Sequence, residues 1–147
     1  MTHKIHFFLG ADHAGFALKQ QILDTLTQEG YRVKDFSPIY KEGDDYPSAA
    51  KRVAKAMQKD PQALGVLVCG TGHGMEMAAN RFKHIRAFVA RTEEDAKLAR
   101  EHNHANVLVF GGWVTKPPAA KKILHTWIKA KPSSAARHKR RIHALDT

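Results

Sequence analysis

Short apolar runs alternate along the chain with longer stretches in which apolar residues recur every three or four positions. The short runs are Ile5 to Leu9, Tyr31 to Phe36, Gly65 to Cys69, Ile85 to Ala90 and Asn106 to Phe110. Segments this short and this apolar read as parallel strands covered on both faces. Between the first two, Phe16, Leu18, Ile22, Leu23 and Leu26 share helical spacing, and Gly30 supplies a stop. A second helix is expected to start near Pro47, where a missing amide hydrogen costs nothing, and to run through Val53 and Met57. The third is expected to hold Met77 to Phe82. The fourth spans Glu93 to about Glu101, with Glu93, Glu94 and Asp95 at its positive end. A fifth opens on Pro117 and Pro118 and turns Ile123, Leu124 and Trp127 to one face.

This alternation predicts a three-layer α/β domain with a five-stranded parallel sheet over residues 1–131, and a C-terminal arm over residues 132–147. Strand order does not follow from the intervals. The segment Ser37 to Tyr46 is the one extended loop inside the domain. The arm begins with breakers and then becomes helix-compatible, with Ile142 and Leu145 as anchors. Such an arm either frays or lies against another surface, that of a second subunit included.

Composition narrows the class. A chain of 147 residues with 43% hydrophobic residues sustains one sizeable core and is too short for two ordinary domains. Its N-terminal apolar run falls well below the roughly 18 residues of a membrane span, and no cleavage site follows it, so a cytoplasmic location is expected. Cys69 is the single cysteine, which excludes an internal disulfide and a zinc framework of several thiols. The net charge of +10 is unevenly spread: no acidic residue occurs from Val107 to Leu145, and that stretch contains the cluster Arg137, Lys139, Arg140 and Arg141. Such a field attracts phosphate-bearing ligands or nucleic-acid backbones, and its plain alternative is a solvated helix face. A nucleotide or nucleic-acid binding module is therefore the reading from a different class. Against it, residues 129–147 contain no aromatic side chain on which a base could stack.

In an open parallel sheet, ligands bind in the crevice outside the carboxyl ends of the strands. Three polar clusters are expected there. Asp12 and His13 follow the first strand, Cys69 to Gly74 follow the third, and His102, Asn103 and Asn106 lie on the approach to the fifth. The last cluster precedes its strand, so an ordinary crevice in one subunit is not expected to collect it, whereas a dimer could. In CGTGHG, the glycines Gly70, Gly72 and Gly74 let backbone amides approach an anion or oxyanion, and the next helix adds its positive end. Neither a GxGxxG with a distant acidic residue nor a P-loop lysine accompanies them. Cys69 is either an inert buried thiol or a thiolate base stabilised by the loop's amides, with the Thr71 hydroxyl facing the developing charge. A hydrolytic pair of Cys69 with His102 competes with the proton-transfer reading. Each polar residue also has a plain role. Asp12 could be a helix cap, Asp45 the cap of the helix at Pro47, His102 one of ten histidines, and Asn103 and Asn106 turn formers.

At these residues the chain resembles the ribose-5-phosphate isomerase B family, which includes allose-6-phosphate and galactose-6-phosphate isomerase subunits. The resemblance rests on GADHAGFALK at Gly10 to Lys19, DYP at Asp45 to Pro47, CGTGHGMEMAANR at Cys69 to Arg81, REHNHANVLVFG at Arg100 to Gly111, and RHKRRI at Arg137 to Ile142. It implies a three-layer, Rossmann-like subunit that pairs into a homodimer or homotetramer with sites between subunits. It also implies that Cys69 moves a proton between C2 and C1 of an open-chain aldose phosphate. Thr71 and the amides of Gly70, Gly72 and Gly74 would hold the enediolate and Asn103 a substrate oxygen. His102, assisted by Asp12, would open the furanose ring. His13, Arg137 and Arg141 would hold the phosphate with His138 nearby, and Asp45 in DYP joins the substrate-binding set. No metal or organic cofactor is needed, since one positioned base carries the proton. Ribose 5-phosphate is the expected substrate and a six-carbon aldose 6-phosphate the close rival.

Some positions depart from the pattern. Typical ribose-phosphate members carry a phosphate-binding arginine where this chain has Trp113, and its loss removes a charge-assisted contact. His73 and Glu76 stand where members commonly show an apolar residue and a serine. Another branch lacks the cysteine and uses a glutamate at the position of Met75. Glu76 is one residue later and points about 100° away, which leaves Cys69 as the expected base.

Overall fold

The computed structural model describes residues 5–147; Met1 to Lys4, the start of the segment read for a leader, lie outside the described residues. Eleven elements follow one another: β1 (His6–Ala11), α1 (Phe16–Gln28), β2 (Arg32–Asp35), α2 (Tyr46–Lys59), β3 (Leu64–Cys69), α3 (His73–Ala79), β4 (Ala87–Val89), α4 (Glu93–Asn103), β5 (Val107–Gly111), α5 (Pro117–Lys129) and α6 (Ala136–Asp146). The strands form one sheet in the order β2-β1-β3-β5-β4, and every pairing is parallel. The chain moves outward from β1 to β2 and in the other direction from β3 onward. The carboxyl ends of β1 and β3 are therefore the topological switch point, where an open parallel sheet leaves a crevice.

Alternation along the central strands sends side chains to two cores. Phe7, Leu9, Val66, Val68, Leu108 and Phe110 face α1, α4 and α5, where Trp127 is fully enclosed. Phe8, Leu67, Cys69, Val107 and Val109 face α2 and α3. No helix among the described residues is long and apolar enough to cross a membrane.

The five expected strands are present, with ends shifted by one or two residues. β1 runs on to Ala11, because its ladder with β3 continues as far as Val68. β4 shrinks to three residues. The third helix differs most: it begins at His73 and ends at Ala79, not at Met77 to Phe82. Gly72, at φ 91°, starts it directly from the glycine loop. Asn80 ends it, because the Asn80 side chain pairs with both backbone groups of Ala87 at 2.7 and 2.8 Å. Glu76 does similar work one residue pair further along, accepting the Val89 amide hydrogen at 2.5 Å. These two side chains occupy polar groups of an edge strand that would otherwise stand open.

The arm forms α6 and lies on its own chain's α4. Ser133 donates its amide to the Glu101 carbonyl at 2.9 Å, His104 meets the Ser133 carbonyl at 2.8 Å, and Arg86 pairs with Asp146 at 2.9 Å. Ile142 is buried beneath it, while Leu145 is 66% exposed.

Lys19 of α1 is completely buried. Its ammonium donates to Asp35 at 2.6 Å, Gln20 at 2.5 Å and the Ser37 carbonyl at 2.8 Å, and it lies 4.3 Å from the Phe16 ring centre. Ser37 in turn accepts the Ala11 amide hydrogen at 3.1 Å and donates its own amide to Asp35 at 2.8 Å. One buried cation thus ties the exit of β2 to the end of β1, immediately before Asp12. Removing one partner of a buried pair leaves the other charge uncompensated, so Lys19→Met is expected to cost about 3 kcal/mol or more in urea unfolding.

Candidate active site

β1 and β3 end side by side, and a cavity of about 190 Å³ opens over them. Cys69 and Thr71 line it from below, Asp12 and His13 from the β1 side, and the rings of Tyr46 and Trp113 from the flanks. The loops beneath are pressed together at backbone distance. Gly112 donates to the Cys69 carbonyl at 2.7 Å and Trp113 to the Gly70 carbonyl at 3.0 Å. A side chain on Gly111 would meet the Thr71 backbone at 2.6 Å, and one on Gly15 would meet the Val68 carbonyl oxygen at 2.1 Å.

Cys69 belongs to the α2 and α3 core and is 4% exposed. Its sulfur accepts the Gly72 amide hydrogen at 3.2 Å, a donor of the kind that stabilises negative charge on sulfur. That contact exists because Gly72 adopts the left-handed conformation that turns its amide back over the strand end. Thr71 is exposed beside it.

Asp12 is 7% exposed, and its carboxylate accepts the Gly15 amide hydrogen at 3.0 Å. Burial raises its pKa above the ordinary 3.8, against the lowering effects of the Gly15 amide and of His13. His13 is held by Asp44: its amide donates to the Asp44 carboxylate at 2.6 Å, and its Nδ1 lies 3.2 Å from the Asp44 carbonyl.

Of the expected site residues, one chain brings together Asp12, His13, Cys69, Gly70, Thr71 and Gly74 around the cavity, with Gly72 beneath through its amide. Asp45 is not among them. It occupies the extended position before α2, is exposed, and makes no side-chain capping bond. Its neighbour Asp44 and the ring of Tyr46 face the site instead. The pattern DDYP signals an acidic residue at the end of the long loop, but two adjacent aspartates do not reveal which one turns inward.

The third cluster lies apart from the other two within one chain, in keeping with its position before β5. α4 runs back against the strand direction, so His102 and Asn103 lie at the amino end of the sheet, away from the end that carries Cys69. Asn106 serves the turn there, accepting the Arg86 amide hydrogen and donating to the His84 carbonyl, both at 2.8 Å. His102 and Asn103 are exposed, and the His102 ring packs against His138 of α6 at 4.6 Å between centres. His138 is buried, its Nδ1 has no hydrogen-bond partner, and its pKa is lowered by burial and then by Arg137, His102, Arg141 and His104. Arg137 and Arg141, one helical turn apart, are exposed beside it. Among the described residues, no group of three or more His, Cys, Asp and Glu side chains is placed to hold a metal ion.

Two outcomes follow from the packing and from Asp12. Gly15→Ala meets a backbone oxygen and is expected to destabilise by about 3 kcal/mol, whereas Gly70→Ala meets the movable ring of Trp113 and should cost under about 1 kcal/mol; urea titrations compare them. The raised Asp12 pKa means that the folded state binds more protons than the unfolded state from about 3.8 upward, so Asp12 lowers stability as pH rises through that window. Asp12→Asn should therefore gain stability relative to the parent as pH rises from 3.8 through the folded pKa, read by unfolding at a series of pH values.

Comparison with known proteins bears on the family and the fold. The sequence pattern of the family described as Ribose/Galactose Isomerase matches residues 7–145. The chain is 40% identical over 136 residues to the ribose-5-phosphate isomerase B of Escherichia coli K12, covering 92% of this chain and 91% of that protein. A crystal structure of a ribose 5-phosphate isomerase from Thermotoga maritima superposes with a TM-score of 0.93 at 38% identity, over 98% of this chain and 99% of that one. The ribose-5-phosphate isomerase B of Mycoplasma genitalium, solved with bound ribulose-5-phosphate, gives a TM-score of 0.91 at 36% identity over 97% and 94% of the two chains. With a match spanning nearly the whole chain and the fold reproduced throughout, the protein belongs to the Ribose/Galactose Isomerase family.

Proposed function

We propose that this chain is a cofactor-independent aldose-ketose isomerase that interconverts ribose 5-phosphate and ribulose 5-phosphate. The observation that carries the reading is the Cys69 sulfur under the Gly72 amide, at the floor of a cavity walled by Thr71, Asp12 and His13. Ribulose-5-phosphate bound to the Mycoplasma genitalium relative supports the choice of substrate.

In the forward direction the Cys69 thiolate takes the proton from C2 of the open-chain aldose, and the electrons of the C1 carbonyl shift onto O1. Charge developing on that oxygen faces the Thr71 hydroxyl and the amides of the glycine loop, where loss of a single preorganised donor costs about 3 kcal/mol. The O2 proton passes to O1, and the thiol returns its proton to C1. Asp12, with its pKa raised by burial, is suited to exchange protons with sugar oxygens.

The second half of the site comes from another copy of the chain. His102 opens the furanose ring, Asn103 holds a substrate oxygen, and Arg137 and Arg141 take the phosphate with His13. Support for this arrangement is topological: a single chain sets these groups at the opposite end of the sheet from Cys69. Paired guanidinium forks suit a phosphate dianion better than single lysines, which gives the basic arm a role in substrate binding rather than on nucleic acid.

Cys69→Ala is expected to abolish exchange of the C2 proton with solvent while retaining the fold; near-normal exchange would move the base elsewhere. His102→Asn should slow cyclic substrate more than an open-chain analogue. Mixing inactive Cys69→Ala with inactive His102→Ala, unfolding and refolding together, should restore about a quarter of parental activity, since half the dimers are mixed and each of those keeps one of its two sites whole. No recovery in mixed dimers would place both groups in one chain and defeat the shared site. A panel of ribose 5-phosphate, allose 6-phosphate and galactose 6-phosphate, without added metal, tests the sugar.

A further inference from the structure

We propose that Trp113 is the specificity-determining residue of this site, an aromatic wall along which the sugar chain lies and which favours five carbons over six. The inference rests on the isomerase reading and adds the means by which the site measures its substrate.

The benzene edge of the indole is seated on Gly70: a Cβ there would stand 2.7 to 2.9 Å from Cε3, Cζ3 and Cη2. The backbone under the ring is fixed by its own amide bond to the Gly70 carbonyl at 3.0 Å and by Val114 to Gly111 at 3.0 Å. Yet the side chain is 73% exposed, which is uncommon for a tryptophan backed by so rigid a loop. Tyr46 has a matching seat on Gly74, where a Cβ would lie 2.5 to 2.7 Å from its ring. The two glycines leave the rings as flank walls, and Cys69 lies between them at the floor.

The cavity between these walls holds about 190 Å³, below the roughly 300 Å³ at which small-molecule sites begin. A sugar phosphate with its reacting carbons over Cys69 therefore extends out of the cavity, past the indole. His13 is the one basic side chain that this chain itself sets among the cavity-lining residues, so the further cations for the phosphate come from the second copy. One further hydroxymethylene lengthens the span from C2 to the phosphate. Seated on Gly70, the indole cannot move closer to the loop, so a longer sugar is admitted only when the ring swings out into solvent and gives up that contact.

The test compares the parent with Trp113→Phe and Trp113→Ala on ribose 5-phosphate and allose 6-phosphate. Trp113→Ala should shift the ratio of kcat/KM toward the six-carbon substrate by about tenfold, mostly through a gain on allose 6-phosphate, while Trp113→Phe should stay within about threefold of the parent. Fluorescence supplies a reading independent of turnover, because the other tryptophan, Trp127, is fully buried. Saturating ribose 5-phosphate should shift parental emission to the blue, and the shift should vanish in Trp113→Phe. An unchanged substrate ratio in folded Trp113→Ala, an equal loss on both substrates, or silent emission in a parent that turns ribose 5-phosphate over each overturns the proposal. A parent inactive on every phosphorylated aldose instead overturns the isomerase reading, and this proposal with it.

Discussion

The close approach of the loops that leave β1, β3 and β5 is the constraint on which the rest of the site depends. Backbone lies against backbone where Gly112 meets Cys69 and where Gly111 meets Thr71. With any Cβ interposed, the loop after β3 would be pushed off the sheet and the Gly72 amide would leave the sulfur. Two aromatic rings then occupy the space that the missing side chains of Gly70 and Gly74 vacate. The glycine-rich segment therefore shapes the walls of the cavity as well as its donors. A second brace holds the other rim: Lys19, through Ser37 and Asp35, fixes the point where β1 gives way to Asp12 and His13. The one long loop of the domain thus starts from an anchored residue and returns to the site at Asp44.

Much of the fold was legible because strands covered on both faces leave little room for polar residues, and helices between them must keep a 3.6-residue stripe. Strand order was not legible. Whether β5 slots between β3 and β4 depends on helix packing across the sheet, which leaves no mark on spacing. The start of α3 was missed because a glycine with positive φ reads the same in sequence as any loop glycine, while in space it turns the helix on four residues early. Lys19 gave no sign of burial, since a lysine on a helix normally faces solvent and its partner Asp35 lies sixteen positions away. The site itself was read in two parts from residue types and order, and the sequence offered a warning about the third: His102 and Asn103 come before their strand, not after it.

That warning reflects the geometry of any parallel sheet. A crossover helix begins at the carboxyl end of one strand and must finish at the amino end of the next, so residues late in α4 are carried the full depth of the sheet away from Cys69. The arm follows them. α6 packs on α4 and sets Arg137 and Arg141 beside His102, which places this basic cluster at the end away from the thiol. The cavity over Cys69 has the opposite character, with Asp12 and Asp44 around a single histidine. Each chain therefore carries the thiol at one end without strong cations and a cationic cluster at the other without the thiol. The separation is consistent with the proposed chemistry. A dense positive field beside Asp12 would favour its ionised carboxyl, whereas burial, with the Asp44 charge, pushes the other way against His13 and the loop amides. In the proposed dimer the phosphate is what draws the cationic half in. Its two negative charges meet the guanidinium groups of one chain while the carbon end rests over the sulfur of the other, so the phosphate offsets the positive charge that the second copy brings beside Asp12 and His13.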